Sequence, residues 1–294
     1  MNDNRNNEYV NKRKELKARS LLSGVEEIRQ DFEERIEQGD TVYGLEILDD
    51  FVETIRKGSL TFILARPNVG KSLCGQIIAC NLAKQGKNVL ICSCEMGAGL
   101  LMERQLVTLT GVSMGSLKQL YETRRDVANK ILDSVIEDKR YEYLKRIDIC
   151  ETGGADINDI MRLLDIDNKY EYIIIDYIQR IKGQGSEYEN ITNAARELQT
   201  YARRTGKRLI ICSQAKRQTG TNGQTTDAGS AGKGSGSIEE DGDVGILLSE
   251  LFENGSKKVL ITLFKNRYGE KNKTYKYRLD NRLNFVLEDK AYDI

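Results

Sequence analysis

"LTFILARPNVGKSLCGQIIACNLAKQ", residues 60–85, is the stretch on which the fold turns. An apolar strand-like run leads into a short loop, and the loop leads into a helical-looking segment. The phosphate-binding pattern is a glycine, any four residues, then Gly-Lys-Ser/Thr, set between a strand and a helix. Gly70, Lys71 and Ser72 match it, and Ala65 stands where the first glycine would be. The chemistry survives that change provided the backbone at Ala65 is not forced to positive φ. The candidate nucleotide cradle is therefore Ala65, Arg66, Pro67, Asn68, Val69, Gly70, Lys71 and Ser72. Backbone N–H groups at the helix start face the phosphates, Lys71 reaches the β/γ oxygens, and Ser72 ligates Mg²⁺. Pro67, the only proline in the chain, stiffens the loop by fixing φ.

Outward from this loop, apolar runs alternate with helical segments. The runs are "LTFILA", "NVLICSC", "RIDIC", "YIIID", "RLIICS", "DVGILLS" and "KVLITLF". Helices are predicted at about 71–85, 98–108, 124–137, 156–166 and 190–204. Such alternation means a mainly parallel sheet covered on both faces. Near the end, "TYKYRLD" and "RLNFVLE" read as an antiparallel hairpin at the sheet edge. "KRQTGTNGQTTDAGSAGKGSGS", residues 216–237, is rich in Gly, Ser and Thr and reads as a mobile loop inside the domain. Residues 1–18 are polar and read as flexible. From 19 to 40 a thin apolar seam of Leu21, Val25, Ile28, Phe32 and Ile36 predicts an amphipathic helix, ended by "EQGD". That helix either packs on its own domain or docks on a neighbouring subunit.

Composition narrows the chemistry. Forty-five basic residues balance forty-five acidic ones, so no global field advertises nucleic acid, and any DNA contact is local. Histidine is absent, which excludes His-based general bases, Ser-His triads and His metal ligands. The six cysteines form no CxxC pair and read as buried reduced thiols of a cytoplasmic protein. No stretch approaches the ~20 apolar residues of a membrane span, and the start lacks a signal-peptide core.

A phosphate loop needs partners. In "YEYIIIDYIQ", Asp176 ends an apolar strand and would hold the metal beside Ser72; an ordinary strand-end aspartate is the alternative. Without histidine, a carboxylate must activate water, and Glu95, ending "NVLICSC", is the candidate base. From its position alone it is equally a surface glutamate opening the next helix. Gln214 follows "RLIICS" at the same sheet edge, where an amide can touch a γ-phosphate and report its presence to the following loop. Lys265 and Arg267, just past a strand and two apart, share one side of an extended segment. They either stabilise charge on a neighbouring subunit's phosphate or are solvated surface cations.

These pieces together resemble the RecA-like motor domain of DnaB-type hexameric replicative helicases, from about Tyr43 to Glu288. "YGLEILDD" looks like that family's opening segment, and "ARPNVGKS" is similar to its Walker A, which often reads A-R-P. "SCEMGAGLLMERQL" looks like the element carrying the catalytic glutamate, and "IIIDYIQ" like its Walker B. "SQAKRQ" resembles the sensor strand, "GSGSIEEDGDVGILL" the element that follows it, and "KNRYGEKNK" the one supplying a lysine and an arginine finger in trans. "TGGADIND", "NVGKS" and "RYGEKNK" are worded most like the T-even phage replicative helicases.

The resemblance implies an α/β fold, a RecA-like P-loop NTPase with a central twisted sheet at 41–290, preceded by a linker helix at 19–40 that docks on the adjacent protomer. It implies a homo-hexamer ring hydrolysing ATP or another NTP with Mg²⁺ at its interfaces, translocating 5′ to 3′ on single-stranded DNA and unwinding duplex. It places channel residues ahead of "SIEEDGD", at Lys233, Ser235 and Gly236, although the family pattern has Arg-Glu where this chain has Lys233-Gly234. "KGQGSEYEN" is a second, weaker channel candidate. Implied partners are primase and a helicase loader, in the bacterial host cytoplasm if the chain is phage-encoded. Family members commonly carry an N-terminal collar domain, and too few residues precede the motor here to make one. A motor-only helicase, a truncated form and a relative without processive unwinding all fit. The competing function is a RecA-like recombination or helicase-loading ATPase that binds single strands without unwinding them.

Overall fold

A computed structural model of the chain describes residues 40–215 and 241–290, with 25, 26, 28–30, 32 and 33 near the start. Residues 1–40 and 41–294 are separate compact units. In the first, the described residues are helical, with Val25, Ile28 and Phe32 more than half exposed. The flexible segment at 1–18, the seam residues Leu21 and Ile36, and the channel candidates Lys233, Ser235 and Gly236 lie outside the described residues.

The second unit is a nine-stranded sheet with helices on both faces. In chain order its elements are α1 (Glu46–Phe51), β1 (Leu60–Ala65), α2 (Lys71–Lys84), β2 (Val89–Ser93), α3 (Ala98–Thr110), α4 (Met114–Thr123), α5 (Arg125–Glu137) and β3 (Ile147–Glu151). There follow α6 (Ile157–Ile166), β4 (Tyr172–Asp176), α7 (Glu187–Thr205), β5 (Arg208–Gln214), β6 (Val244–Glu253), β7 (Ser256–Asn266), β8 (Lys273–Leu279) and β9 (Phe285–Asp289). The strands lie in the order β3-β2-β4-β5-β1-β6-β7-β8-β9. The first six in that order are mutually parallel, and β7, β8 and β9 extend the sheet antiparallel.

Period-two alternation sorts each central strand between two apolar layers. On β4, Tyr172 and Ile174 pack in the layer that holds Cys74, Ile78 and Leu82 of α2, while Ile173 and Ile175 pack with Ala195, Leu198 and Ala202 of α7. Both faces are covered, so the strands read as continuous apolar runs, as parallel strands do. The cysteines are all free and five are buried; burial pushes the Cys74 thiol up to about 12 and the Cys80 thiol to about 11.

Several boundaries differ from the sequence reading. Helix α7 begins at Glu187 because Ser186 and Glu189 form a reciprocal capping box, so half of the proposed channel loop "KGQGSEYEN" is helical. Helix α4 was not anticipated; only Leu117 of it is buried, which leaves a weak apolar signal. The sheet carries an antiparallel β6–β7 hairpin ahead of the predicted β8–β9 one. Its turn, Asn254-Gly255, has φ of 51° and 74°, the pair of positive values that an Asn-Gly hairpin turn requires. Lys265 lies inside β7, opposite Gly245, rather than past the strand. The ladder runs on to Asn266, paired with Val244, and a charged side chain does not interrupt backbone pairing.

Leu198, fully buried between α7 and the sheet, tests this layering. Leu198→Ala should cost about 2–5 kcal/mol of stability. The expected reading is a lower urea midpoint with an unchanged denaturant slope.

Candidate active site

The parallel strands point their carboxyl ends at one edge, where ligands of open α/β sheets bind. Pairing sets the candidates level there: Ala65 opposite Gln214, and Ser93 opposite Asp176. Ala65 closes β1 in extended conformation and is not among the residues with positive φ, so the missing glycine costs nothing. The left-handed positions of the loop are Asn68 (φ 65°) and Gly70 (φ 115°), and Gly70 is the N-cap of α2. A cavity of about 570 Å³ opens above, lined by residues that include Lys71, Ser72, Glu95, Tyr177 and Gln214. Nine positions singled out from sequence thus meet in one cavity, Ala65, Arg66, Pro67, Asn68, Gly70, Lys71 and Ser72 of the cradle with Glu95 and Gln214, and a tenth, Asp176, lies beside Lys71.

At its centre the Lys71 ammonium lies 3.4 Å from Asp176 Oδ1 and 3.5 Å above the Tyr177 ring. Asp176 is only 5% exposed, and its buried Oδ1 accepts no hydrogen bond, the Lys71 contact being ionic only. A sequestered carboxylate oxygen without a hydrogen bond suits a cation, and Ser72 lines the cavity. Among the described residues no group of three or more acidic or thiol side chains could hold a metal by itself.

Glu95 follows β2 by two residues. Ser93 Oγ donates to the Met96 carbonyl at 2.6 Å and closes the turn that presents it. Glu95 Oε1 accepts a 3.1 Å hydrogen bond from Arg180. Gln214 is fixed through its backbone: its N–H donates to Gln179 Oε1 and its carbonyl accepts from Gln179 Nε2, both at 3.1 Å. Gln179 also donates to Ser213 Oγ at 2.9 Å, tying the turn after β4 to the end of β5. Sequence reasoning missed Gln179 and Arg180, because their partners lie 35 and 85 residues away. It also missed Glu151, whose Oε1 accepts from the Ala98 N–H at 2.7 Å and caps α3.

Arg267 is not in this cavity. Its N–H donates to the Asp243 carbonyl at 2.9 Å and its guanidinium contacts Asp243 Oδ1 at 2.7 Å. Asp243 Oδ2 in turn accepts from the N–H of Leu60, the first residue of β1. The phosphate loop leaves the other end of β1, roughly 17 Å away at ~3.3 Å per strand residue. Arg267 and the cradle therefore occupy opposite edges of the sheet. Lys265, in the last turn of the β7 ladder before it, belongs to the Arg267 side.

Comparison with known proteins agrees with this architecture. The family model of the DnaB-like helicase C terminal domain matches residues 41–285. The chain is 31% identical over 232 residues to a probable plasmid replicative DNA helicase of Chlamydia trachomatis serovar L2, covering 77% of this chain and 50% of that protein. It is 29% identical over 211 residues to the replicative DNA helicase DnaC of Bacillus subtilis, covering 68% of this chain and 45% of that one. The chain thus spans about half the length of the curated relatives it matches. Among solved structures it is similar to an isolated ATPase domain, with a TM-score of 0.73 and 23% identity over 89% of this chain and 98% of that one. A DnaB-like replicative helicase, solved in a study of its interactions with primase, gives a TM-score of 0.70 and 22% identity over 92% and 67%. At such identities these two show the fold, which is RecA-like.

Gln179 offers a local test of the site's framework. Gln179→Leu leaves the Gln214 N–H and the buried Ser213 hydroxyl without this partner, at about 1–3 kcal/mol. Hydrogen exchange should show the Gln214 amide losing protection while amides of β9, at the far edge, keep theirs.

Proposed function

The chain belongs to the DnaB-like helicase C-terminal domain family, and on that premise we propose that it is the ATP-driven motor of a replicative DNA helicase. It hydrolyses ATP between neighbouring copies of a homo-hexamer ring, moves 5′ to 3′ along single-stranded DNA and separates duplex. One observation carries this reading: the cradle and the candidate base share one cavity, while Arg267 sits at the opposite sheet edge. A subunit so divided holds most of a hydrolytic site and presents the remainder elsewhere.

The chemistry follows from the positions. Backbone N–H groups at the start of α2 and the Lys71 ammonium receive the phosphates. Ser72 and Asp176 would hold Mg²⁺, which would supply positive charge against that developing on the phosphates. Glu95 orients water and takes its proton, a role that falls to a carboxylate in a chain without histidine. Gln214, on the cavity wall, contacts the γ-phosphate and marks its presence at the end of β5. Arg267 and Lys265 of the adjoining copy stabilise transition-state charge, since the strand length keeps Arg267 from its own cradle.

The segment 19–40 docks on the neighbouring subunit through its apolar seam, and Lys233, Ser235 and Gly236 meet the DNA backbone. Primase and a loader are the partners this reading supplies, and the wording of "TGGADIND" supports a phage-encoded origin acting in the host cytoplasm. Among the described residues no helix is long and apolar enough to cross a membrane.

Forked-duplex unwinding in the presence of ATP and Mg²⁺ is the direct test. Hydrolysis and single-strand binding without any strand separation would favour the loading ATPase instead. Glu95→Gln should lower kcat by about 10²–10⁴ and leave nucleotide binding intact. Arg267→Ala should reduce DNA-stimulated hydrolysis by about 10³ or more while isolated subunits bind nucleotide normally. Undiminished turnover in that variant removes the trans role.

A further inference from the structure

Among the described cations near the site to which the catalytic assignment gives no task, Arg180 is the one bonded to Glu95. Arg180 ends the short 3₁₀ turn Ile178–Arg180 that follows β4. Its Nε donates to Tyr177 Oη at 2.9 Å and its terminal nitrogen donates to Glu95 Oε1 at 3.1 Å. Tyr177 is 8% exposed, and its ring lies directly under the Lys71 ammonium. The turn itself is fastened from the other side by Gln179 to Ser213 and Gln214. A guanidinium held between a buried phenol and a carboxylate is fixed at both ends, which its planar fork permits and an ammonium does not.

We infer that Arg180 is a positioning residue for Glu95, holding one carboxylate oxygen so that the other meets the attacking water in a single orientation. The inference rests on Glu95 being the base. The Arg180 and Glu95 side chains are 54% and 46% exposed, so their ion pair adds little to stability and its value lies in geometry. Glu95 would otherwise have three side-chain torsions to sample at the mouth of a solvent-open cavity. Reaction with water requires the carboxylate within hydrogen-bond reach and aligned, and small displacements of such groups cost rate steeply. Arg180 does not line the cavity, and its side chain bonds Tyr177 and Glu95; it acts through Glu95. The contact also ties Glu95 to Gln179, and through it to Gln214, so the base and the candidate γ-phosphate reader share one rigid turn.

The test uses the full chain with single-stranded DNA and compares Arg180→Gln, Arg180→Lys and Glu95→Asp, singly and combined. Steady-state ATP hydrolysis supplies kcat and KM, and a fluorescent ATP analogue supplies affinity. Arg180→Gln should lower kcat by about tenfold or more, with KM and affinity within about twofold. Arg180→Lys should recover only part of the loss, because a point charge does not bridge both acceptors. In the Glu95→Asp background, where the shortened side chain has already left Arg180, Arg180→Gln should cost nothing further. Wild-type kcat in Arg180→Gln overturns the proposal, as does an equal loss in the Glu95→Asp background. Should Arg180→Gln not fold, Arg180→Lys decides: a wild-type kcat there overturns it, and a loss of about threefold or more at constant KM upholds it. If Glu95→Gln itself hydrolyses ATP normally, the base assignment has failed, and that result is separate from any defect at Arg180.

Discussion

The contact between Lys71 and Asp176 is the constraint on which the rest depends. One charge leaves the loop after β1 and the other ends β4, with β5 lying between those strands. Two charges withdrawn from water this far must stay together, because removing either partner strands the other in a poor dielectric. The pair therefore demands that three strand ends lie level and that the loop curl back over them. Gly70 at φ 115° permits the curl, and the apolar layers on both faces hold the strands in register. What the cradle can bind follows from what the sheet can keep aligned.

Much of this was legible beforehand, and the reason is local. A phosphate loop is a strand, a turn and a helix in immediate succession, so its chemistry and its setting occupy one continuous stretch. Asp176, Glu95 and Gln214 were likewise readable because each terminates an apolar run, and parallel runs end at a common edge. The roles of Gln179, Arg180 and Glu151 were not readable, since each depends on a neighbour distant in sequence. Lys265 shows a different limit: side-chain charge suggests a strand's end, while backbone pairing ignores it. The β6–β7 turn was available in the letters Asn254-Gly255 and passed unread among the more prominent motifs. The Gly/Ser/Thr-rich stretch at 216–237, by contrast, has no periodicity from which a register could be drawn.

The absence of histidine shapes the site as much as any residue present. On the proposed reading proton transfer falls to the Glu95 carboxylate, and a flexible carboxylate needs to be held. Short-range polar ties, Ser93 to Met96 and Glu95 to Arg180, hold this exposed carboxylate in place of burial. Charge is managed in the same local manner. The chain is neutral as a whole, yet Lys71 and Arg267 each stand at an edge of the sheet, paired with an aspartate there.

The separation of those edges has a consequence for assembly. A surface that matches itself is used up when two copies meet, and growth ends there. If copies join cradle to arginine, as proposed, the two are unlike halves, and joining them always leaves one of each exposed at the extremities of the array. Such an array stops adding members only when its two ends find each other, and the small turn from copy to copy sets how many that takes. The count is thus set by the rotation between adjoining copies, not by any residue at the reaction centre.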